Sequence, residues 1–226
     1  MPFSRHRERR MTHVVLIGDS VFDNARYVPK GTEVQAQLRQ RLGAVHRVSL
    51  LAQDGAVLAN VPAQLRGIKG LPQAPNQLVV SCGGNNALRL VSAMQTPART
   101  VLAAAELLTA WQAEFRREYL AMLDALRGQG TPFVVSTIYD GVPGLAPGLR
   151  GALSFFNDVI IREAVMRRVP VLDMRLVCSK PADYSSTSPI EPSAEGGRKI
   201  AAAIAEIALG HDPCTLRTVI YGGGVV

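Results

Sequence analysis

Short apolar runs alternate along this chain with longer stretches in which apolar residues recur every three or four positions. The runs fall at 14–17, 45–51, 78–81, 133–138 and 169–172. Runs of this length, rich in Val, Leu and Ile, are typical of strands that are buried on both faces. Strands that alternate with helices predict one α/β domain built on a parallel sheet of about five strands.

The stretches between the runs carry helix signals. Val34, Leu38 and Leu42 recur on one helical face after a capping pair that begins at Thr32. The segment 97–126 is mostly helical, and the threonine at 109 predicts a break or a second cap within it. Ser193 is a plausible N-cap for a final helix over 193–209.

Three of the predicted strands end in turns of small and polar residues, at 18–20, 54–55 and 83–86. The carboxyl ends of parallel strands meet at one edge of a sheet, where ligands bind. Acyl transfer needs a nucleophilic hydroxyl there, together with donors for the oxyanion. Ser20 offers the hydroxyl, and its backbone N–H, the N–H of Gly55 and the side-chain amide of Asn85 offer three donors. Taken alone, a Gly-Asp-Ser turn is more often an ordinary strand ending.

These motifs, in this order, resemble those of the SGNH or GDSL-type esterase and lipase superfamily, and the resemblance covers roughly 12–209. It implies a flavodoxin-like three-layer α/β/α sandwich with a five-stranded parallel sheet. It also implies that Ser20 is the nucleophile and an oxyanion donor, and that Gly55 and Asn85 are the other donors. Asn86 stands where the family usually has Asp.

The last motif of the family, Asp-x-x-His-Pro before the final helix, differs in this chain. Alignment on the proline places Ser188 at the aspartate position and Glu191 at the histidine position. The four histidines are predicted to lie away from the site: His6, His13, His46 and His211. Glu191 is therefore the candidate base, although an ordinary Glu has a pKa of ~4.3 and needs burial to raise it. The alternative is that Glu191 only caps the final helix.

Further polar residues are assigned lesser roles. Asp183, or an ordered water, is the candidate partner that couples to Glu191. Asp19 is expected to anchor the turn by hydrogen bonding rather than to take part in the chemistry. Tyr139 and Asp140, at the exit of the fourth strand, are predicted to line the pocket.

Composition narrows the function classes. The chain has 226 residues, of which 47% are hydrophobic and 19% charged, which suits one large domain. We predict a basic, disordered extension at 1–11, a hydrolase domain at 12–210 and a tail at 211–226, with Met11 as an alternative start. Of the formal charge of +7, +3 falls in the first ten residues and the rest is spread thinly without interleaved aromatics, so no nucleic-acid partner is expected.

Neither a membrane segment nor a metal or cofactor site is predicted. No apolar run reaches the ~18–20 residues of a spanning helix. The three cysteines form no metal-binding pattern and predict no disulfide, which favours the cytoplasm.

The resulting hypothesis is an atypical, weak serine hydrolase that acts on a small-molecule carboxylic ester through an acyl-enzyme. The specific ester and the oligomeric state are left open. The alternative is a degenerate relative that binds an acyl or glycan ligand without turnover. A nucleotide-binding flavodoxin-like domain ranks lower, because the chain lacks G-x-G-x-x-G and a P-loop lysine after a strand.

Overall fold

The computed structural model of the protein describes residues 11–223. The predicted extension at 1–11 therefore lies outside the described residues except for Met11. Six strands form one sheet in the order β2-β1-β3-β4-β5-β6, and every neighbouring pair is parallel. The strands are β1 His13–Gly18, β2 Arg47–Leu50, β3 Gln77–Ser81, β4 Phe133–Ser136, β5 Val171–Leu172 and β6 Ile220–Tyr221.

Helices cover both faces of this sheet. They are α1 Val34–Leu42, α2 Val61–Arg66, α3 Gly84–Arg89, α4 Val101–Arg127, α5 Pro147–Arg167, α6 Met174–Val177 and α7 Ala194–Gly210. Along β1, Val14 and Leu16 pack with α1 and α7, whereas Val15 and Ile17 pack with α2, α4 and α5. This alternation explains why the whole strand is apolar. It confirms the predicted three-layer α/β/α class.

The sixth strand goes beyond the prediction. The segment after α7, predicted to be a tail, returns to the sheet, and Ile220–Tyr221 pairs with β5. The N–H of Asp173 donates to the carbonyl of Tyr221 at 2.8 Å. His211 Nδ1 lies 2.8 Å from Tyr221 Oη, which ties the start of this segment to its end.

The helix starts agree with the sequence in part. Ser193 caps α7 as predicted, since its Oγ accepts from the N–H of Gly196 at 3.1 Å. Helix α1 begins at Val34, because the Thr32 hydroxyl donates to the carbonyl of Pro29 instead of capping.

The break predicted near Thr109 is wrong. Helix α4 is continuous, and the Thr109 hydroxyl donates within it to the carbonyl of Ala105 at 2.8 Å. Its cap is Thr100, whose Oγ1 accepts from the N–H of Ala103. Within 11–223, no helix combines the length and apolarity needed to cross a bilayer.

Candidate active site

The turn that presents Ser20 is locked to the neighbouring strand. Gly18 has φ +125°, and a Cβ placed on it would lie 1.7 Å from the carbonyl oxygen of Ser81. The next N–H, that of Asp19, donates to the same oxygen at 3.0 Å. Only glycine fits this close approach of β1 to β3. The position of the serine is therefore set by the backbone of the sheet.

Gln64, which no sequence motif marks, also fixes this turn. The buried Gln64 side chain of α2 accepts from the N–H of Gly18 and donates to its carbonyl, both at 2.8 Å. Gln64 follows Val61 at helical spacing and lies on the buried face of α2. A glutamine on an apolar helical face was the available signal, because a buried amide needs partners.

Ser20 and Glu191 meet although they lie 171 residues apart in the chain. Ser20 Oγ donates to Glu191 Oε1 at 2.9 Å. The serine is 6% exposed and the glutamate 5% exposed, so water competes weakly for this hydrogen bond. The Glu191 carboxylate is thus directed at the Ser20 hydroxyl, and the helix cap is supplied by Ser193 instead.

The histidines lie elsewhere in the part of the chain that is described. His13 Nε2 is 2.9 Å from Ser49 Oγ, and His46 Nδ1 accepts from the N–H of Thr12. Both residues are at the amino-terminal edge of the sheet, opposite Ser20, as predicted. His211 contacts Tyr221. His6 lies outside the described residues.

Glu191 is carried by a folded turn within an irregular segment. Its N–H donates to the carbonyl of Ser188 at 3.0 Å, and its carbonyl accepts from the N–H of Ser185 at 2.8 Å. The Tyr139 hydroxyl donates to the carbonyl of Ile190 at 2.5 Å. Ser188 thus contributes a backbone carbonyl that accepts from Glu191.

Asp183 does not reach Glu191 through any hydrogen bond found within 11–223, contrary to the expected coupling. Its buried carboxylate contacts Lys199 Nζ at 2.5 Å and accepts from the N–H of Lys180 at 2.9 Å. Its carbonyl also accepts from the N–H of Ser193. Asp183 therefore fixes the start of α7, because its strongest partner is a cation on that helix. Its partner was not evident from the sequence.

Burial shifts both carboxyl groups beside Ser20. It raises the pKa of Glu191 from 4.5 to about 7, with a smaller increase from the charge of Asp54, against the hydrogen bond from Ser20, which lowers it. Burial raises the pKa of Asp19 from 3.8 to about 8, and the N–H of Val21 opposes that shift. Asp19 Oδ1 accepts from this N–H at 3.2 Å, the turn-anchoring contact that was expected. Oε2 of Glu191 is buried and has no partner within 11–223.

The three expected oxyanion donors keep free N–H groups. Asn85 Nδ2 donates one hydrogen to the carbonyl of Ala56 at 2.9 Å, which leaves its second hydrogen available. This bond joins Asn85 to the loop that carries Gly55, where the backbone has φ +77°. Within residues 11–223, the N–H groups of Gly55 and Ser20 have no acceptor. Gly55 is exposed and does not itself line the cavity described below.

Asn86 has a structural role. Its Nδ2 donates to Glu118 Oε2 at 2.6 Å, and its Oδ1 accepts from the N–H of Leu58 at 3.1 Å. The side chain therefore links α3 to α4 and to the turn before α2. An amide at this position makes both bonds at once, since it carries a donor and an acceptor.

A cavity of about 270 Å³ opens beside Ser20. Asn85 and Glu191 also line it, as does Tyr139, whereas Asp140 does not. The rest of the lining is mostly apolar and includes Leu88, Val91, Met94, Leu145, Leu149, Leu153 and Phe156. Such a lining suits an apolar group next to the serine. The described residues contain no cluster of three or more His, Cys, Asp or Glu that could hold a metal ion.

Solved structures with a similar fold include several hydrolases. One is LAE5, an alpha/beta hydrolase enzyme from the metagenome of Lake Arreo, Spain, with a TM-score of 0.63, 19% identity and coverage of 88% of this chain and 97% of that one. Another is an acetyl xylan esterase variant from Geobacillus stearothermophilus, with a TM-score of 0.63, 16% identity and coverage of 92% and 97%. A third is a putative lipolytic protein of the G-D-S-L family from Desulfitobacterium hafniense, with a TM-score of 0.60, 17% identity and coverage of 87% and 99%.

At these identities the likeness concerns the fold. No curated protein sequence matches this chain. The family model for GDSL-like lipases and acylhydrolases matches residues 16–199, a span that includes Ser20, Gly55, Asn85 and Glu191. That match covers most of the sequence and contains every motif from which the site is built. The chain belongs to the GDSL-like lipase/acylhydrolase family.

Proposed function

We propose that this protein hydrolyses carboxylic esters through an acyl-enzyme on Ser20, with Glu191 as the general base. The observation that carries the proposal is the 2.9 Å hydrogen bond from Ser20 Oγ to Glu191 Oε1, between two buried side chains. A nucleophile that donates directly to a base is the arrangement that activated hydroxyls need. Family membership supports an esterase or lipase type of reaction.

In the first half-reaction, Ser20 Oγ attacks the ester carbonyl carbon while its proton passes to Glu191. The carbonyl oxygen becomes an oxyanion, and the N–H groups of Ser20 and Gly55 and the free hydrogen of Asn85 Nδ2 stabilise it. The tetrahedral intermediate then expels the alkoxide, which takes the proton from Glu191 and leaves as an alcohol. An ester bond to Ser20 remains.

In the second half-reaction, water repeats these steps. Glu191 accepts a proton from the water as it attacks the acyl carbon, and then returns the proton to Ser20 Oγ as the acid departs. The serine and the carboxylate are restored, so that one water is consumed in each turnover.

The pKa values explain how a carboxylate serves where the family usually has an imidazole. A base works best when its pKa is near the working pH, and burial raises the pKa of Glu191 to about 7. Asp19, with its pKa raised to about 8, is mostly neutral at pH 7. It therefore does not oppose the negative charge that Glu191 carries as a base.

We also propose a substrate with an apolar acyl group and a cytoplasmic setting. The mostly apolar cavity beside Ser20 supports the first proposal. Cys82 and Cys178 are buried free thiols and Cys214 is an exposed one, as is typical of a reducing compartment. The hydrolase unit is proposed to begin at residue 12, as the sequence indicates, and to extend beyond 210, because Ile220–Tyr221 is the sixth strand of its sheet.

The test is the hydrolysis of a soluble activated ester, such as p-nitrophenyl butyrate. Ser20→Ala should reduce kcat/KM to background, and Glu191→Gln should lower it by about 10²–10⁴-fold through loss of the base. The matched control is Glu195→Gln. Glu195 is an exposed acid in the first turn of α7 that pairs with Arg198, and its replacement should change kcat/KM less than twofold.

Full activity in Ser20→Ala would overturn the proposal. The degenerate-relative alternative predicts a different outcome, because the site holds no imidazole. The parent protein would then bind a butyrate ester with no turnover, and Glu191→Gln would keep that affinity.

A further inference from the structure

Asp19, the residue before Ser20, has a buried carboxyl with one oxygen still free to bind. The residue is 4% exposed, and it lines the cavity beside Ser20. Its Oδ1 accepts from the N–H of Val21 at 3.2 Å, which anchors the turn. Within 11–223, its Oδ2 has no hydrogen bond to another residue. Buried polar atoms normally have a partner, so this oxygen indicates a contact that a bound ligand completes.

Asp19 Oδ2 lies close to residues that are expected to hold the oxyanion. A Cβ placed on Gly84 would be 3.9 Å from this oxygen. Gly84 precedes Asn85, whose Nδ2 keeps a free hydrogen, and Asp19 itself precedes Ser20. All four residues line the same cavity. The carboxyl of Asp19 is therefore adjacent to two of the three expected oxyanion donors.

The ionisable groups that face Asp19 are acidic. The charges of Glu191 and Asp54 act on Asp19. The charge of Asp19 acts in turn on the Cys82 thiol and the Tyr139 phenol. Within 11–223, neither Asp19 nor Glu191 forms an ion pair with an Arg or a Lys. A second negative charge beside Glu191 is unfavourable in this buried site, so Asp19 keeps a proton while Glu191 is ionised.

We propose that Asp19 is a further catalytic residue, whose neutral carboxyl donates a hydrogen bond to the oxyanion of the bound ester. A protonated carboxyl has an O–H donor, whereas a carboxylate has none. In a mostly apolar site, such a donor stabilises negative charge that develops during the reaction. The proton stays on Asp19 throughout, because Glu191 takes the proton of Ser20. This inference rests on the proposed function, since it concerns the same oxyanion.

The donor is lost when Asp19 ionises. Burial raises the pKa of Asp19 from 3.8 to about 8, so at higher pH an anion that repels the oxyanion replaces the donor. Burial also raises the pKa of Cys82 and of Tyr139 well above their ordinary values of 9.0 and 10.0. Neither of those two groups therefore titrates near pH 8. A fall in kcat/KM above pH 8 that depends on residue 19 is the signature of the proposed donor.

The first test is the pH profile of p-nitrophenyl butyrate hydrolysis from pH 6 to pH 9.5. In the parent, kcat/KM should rise as Glu191 ionises and then fall at least fivefold between pH 8 and pH 9.5. Asp19→Asn keeps an acceptor for the N–H of Val21 and donates from its amide at every pH. Its kcat/KM should be within about fivefold of the parent at pH 7 and should not fall above pH 8. Glu195→Gln, the exposed control, should keep the fall.

A second variant removes the donor but not the turn anchor. The hydroxyl of Asp19→Ser can still accept from the N–H of Val21, but it is too short to replace Oδ2 beside Gly84. Its kcat should fall by about 10²–10³-fold, as for the loss of one oxyanion donor, whereas KM should change less than threefold. A urea titration confirms that the variant is folded. If it is not, the Asp19→Asn profile still decides.

An Asp19→Asn protein that keeps the fall above pH 8, or a folded Asp19→Ser protein with the kcat of the parent, would overturn the donor role. If Ser20→Ala still abolishes hydrolysis, the proposed function stands without it. The infrared carbonyl stretch of a neutral carboxyl at pH 7, present in the parent and lost in Asp19→Asn, detects the proton without turnover. Its absence would also overturn the donor role. Its presence in a parent protein that hydrolyses no ester would instead contradict the proposed function.

Discussion

The two sides of the site are built in different ways. Ser20 sits on a frame of sheet backbone, where Gly18 touches Ser81 and the Gln64 amide clamps both main-chain groups of Gly18. Glu191 sits in an irregular segment between α6 and α7, held by turn hydrogen bonds and by the hydroxyl of Tyr139. The Ser20 side tolerates little change, whereas the Glu191 side depends on side-chain contacts. The larger departure from the family pattern, Glu191 in place of histidine, falls on that second side.

The largest effect is expected on the Ser20 side. Gly18→Ala places a Cβ 1.7 Å from a backbone oxygen at φ +125°, which the sheet cannot relieve locally. We expect a loss of ~4 kcal/mol or more in the free energy of unfolding, or no folded protein, measured by urea titration. Gly148→Ala is the control, since its Cβ would meet nothing within 4 Å, and it should stay within ~1 kcal/mol. A Gly18→Ala protein as stable as its parent would remove the contrast between the two sides.

On the Glu191 side, the largest effect should come from the ion pair that anchors α7. Asp183→Asn leaves Lys199 without its carboxylate, and the Lys199 side chain is 23% exposed. We expect a loss of about 2–4 kcal/mol in the free energy of unfolding, less than for a fully buried pair because water reaches the lysine. Asp158→Asn, which breaks the exposed pair with Arg162, should cost less than ~1 kcal/mol. Equal costs for the two variants would show that Asp183 does not anchor the Glu191 side.

A smaller effect concerns the cost of keeping Glu191 buried. In the unfolded chain this carboxyl loses its proton near pH 4.5, but in the folded chain only near pH 7. Between these values the folded state holds more protons, so stability falls as pH rises. Glu191→Gln removes this dependence. The difference in free energy of unfolding, Glu191→Gln minus parent, should therefore increase by on the order of 1–3 kcal/mol from pH 4 to pH 8. Urea titrations at both pH values measure it, and a constant difference would contradict the raised pKa.

The fold could be predicted from the sequence more fully than the contacts within the site could. Buried apolar runs mark the main strands. Ile220–Tyr221 is too short to be recognised as a strand from its sequence, because it forms a strand only by pairing with β5. Thr109 suggests a cap by its type, yet a threonine hydroxyl is equally well satisfied inside a helix. Side chains that act over long sequence distances, such as Gln64 on Gly18, have no local motif. The raised pKa of Glu191 likewise depends on burial that only the folded chain supplies.

The most direct test of the Ser20–Glu191 pair is the rate at which a fluorophosphonate labels the protein between pH 5 and pH 9. Labelling needs the activated hydroxyl but no ester specificity. Ser20 should be the labelled residue, and the labelling rate should rise through a pKa of about 7. Glu191→Gln should slow labelling by about 10²–10⁴-fold and remove the inflection. An unchanged rate and pH profile in Glu191→Gln, or a label on another residue, would contradict it.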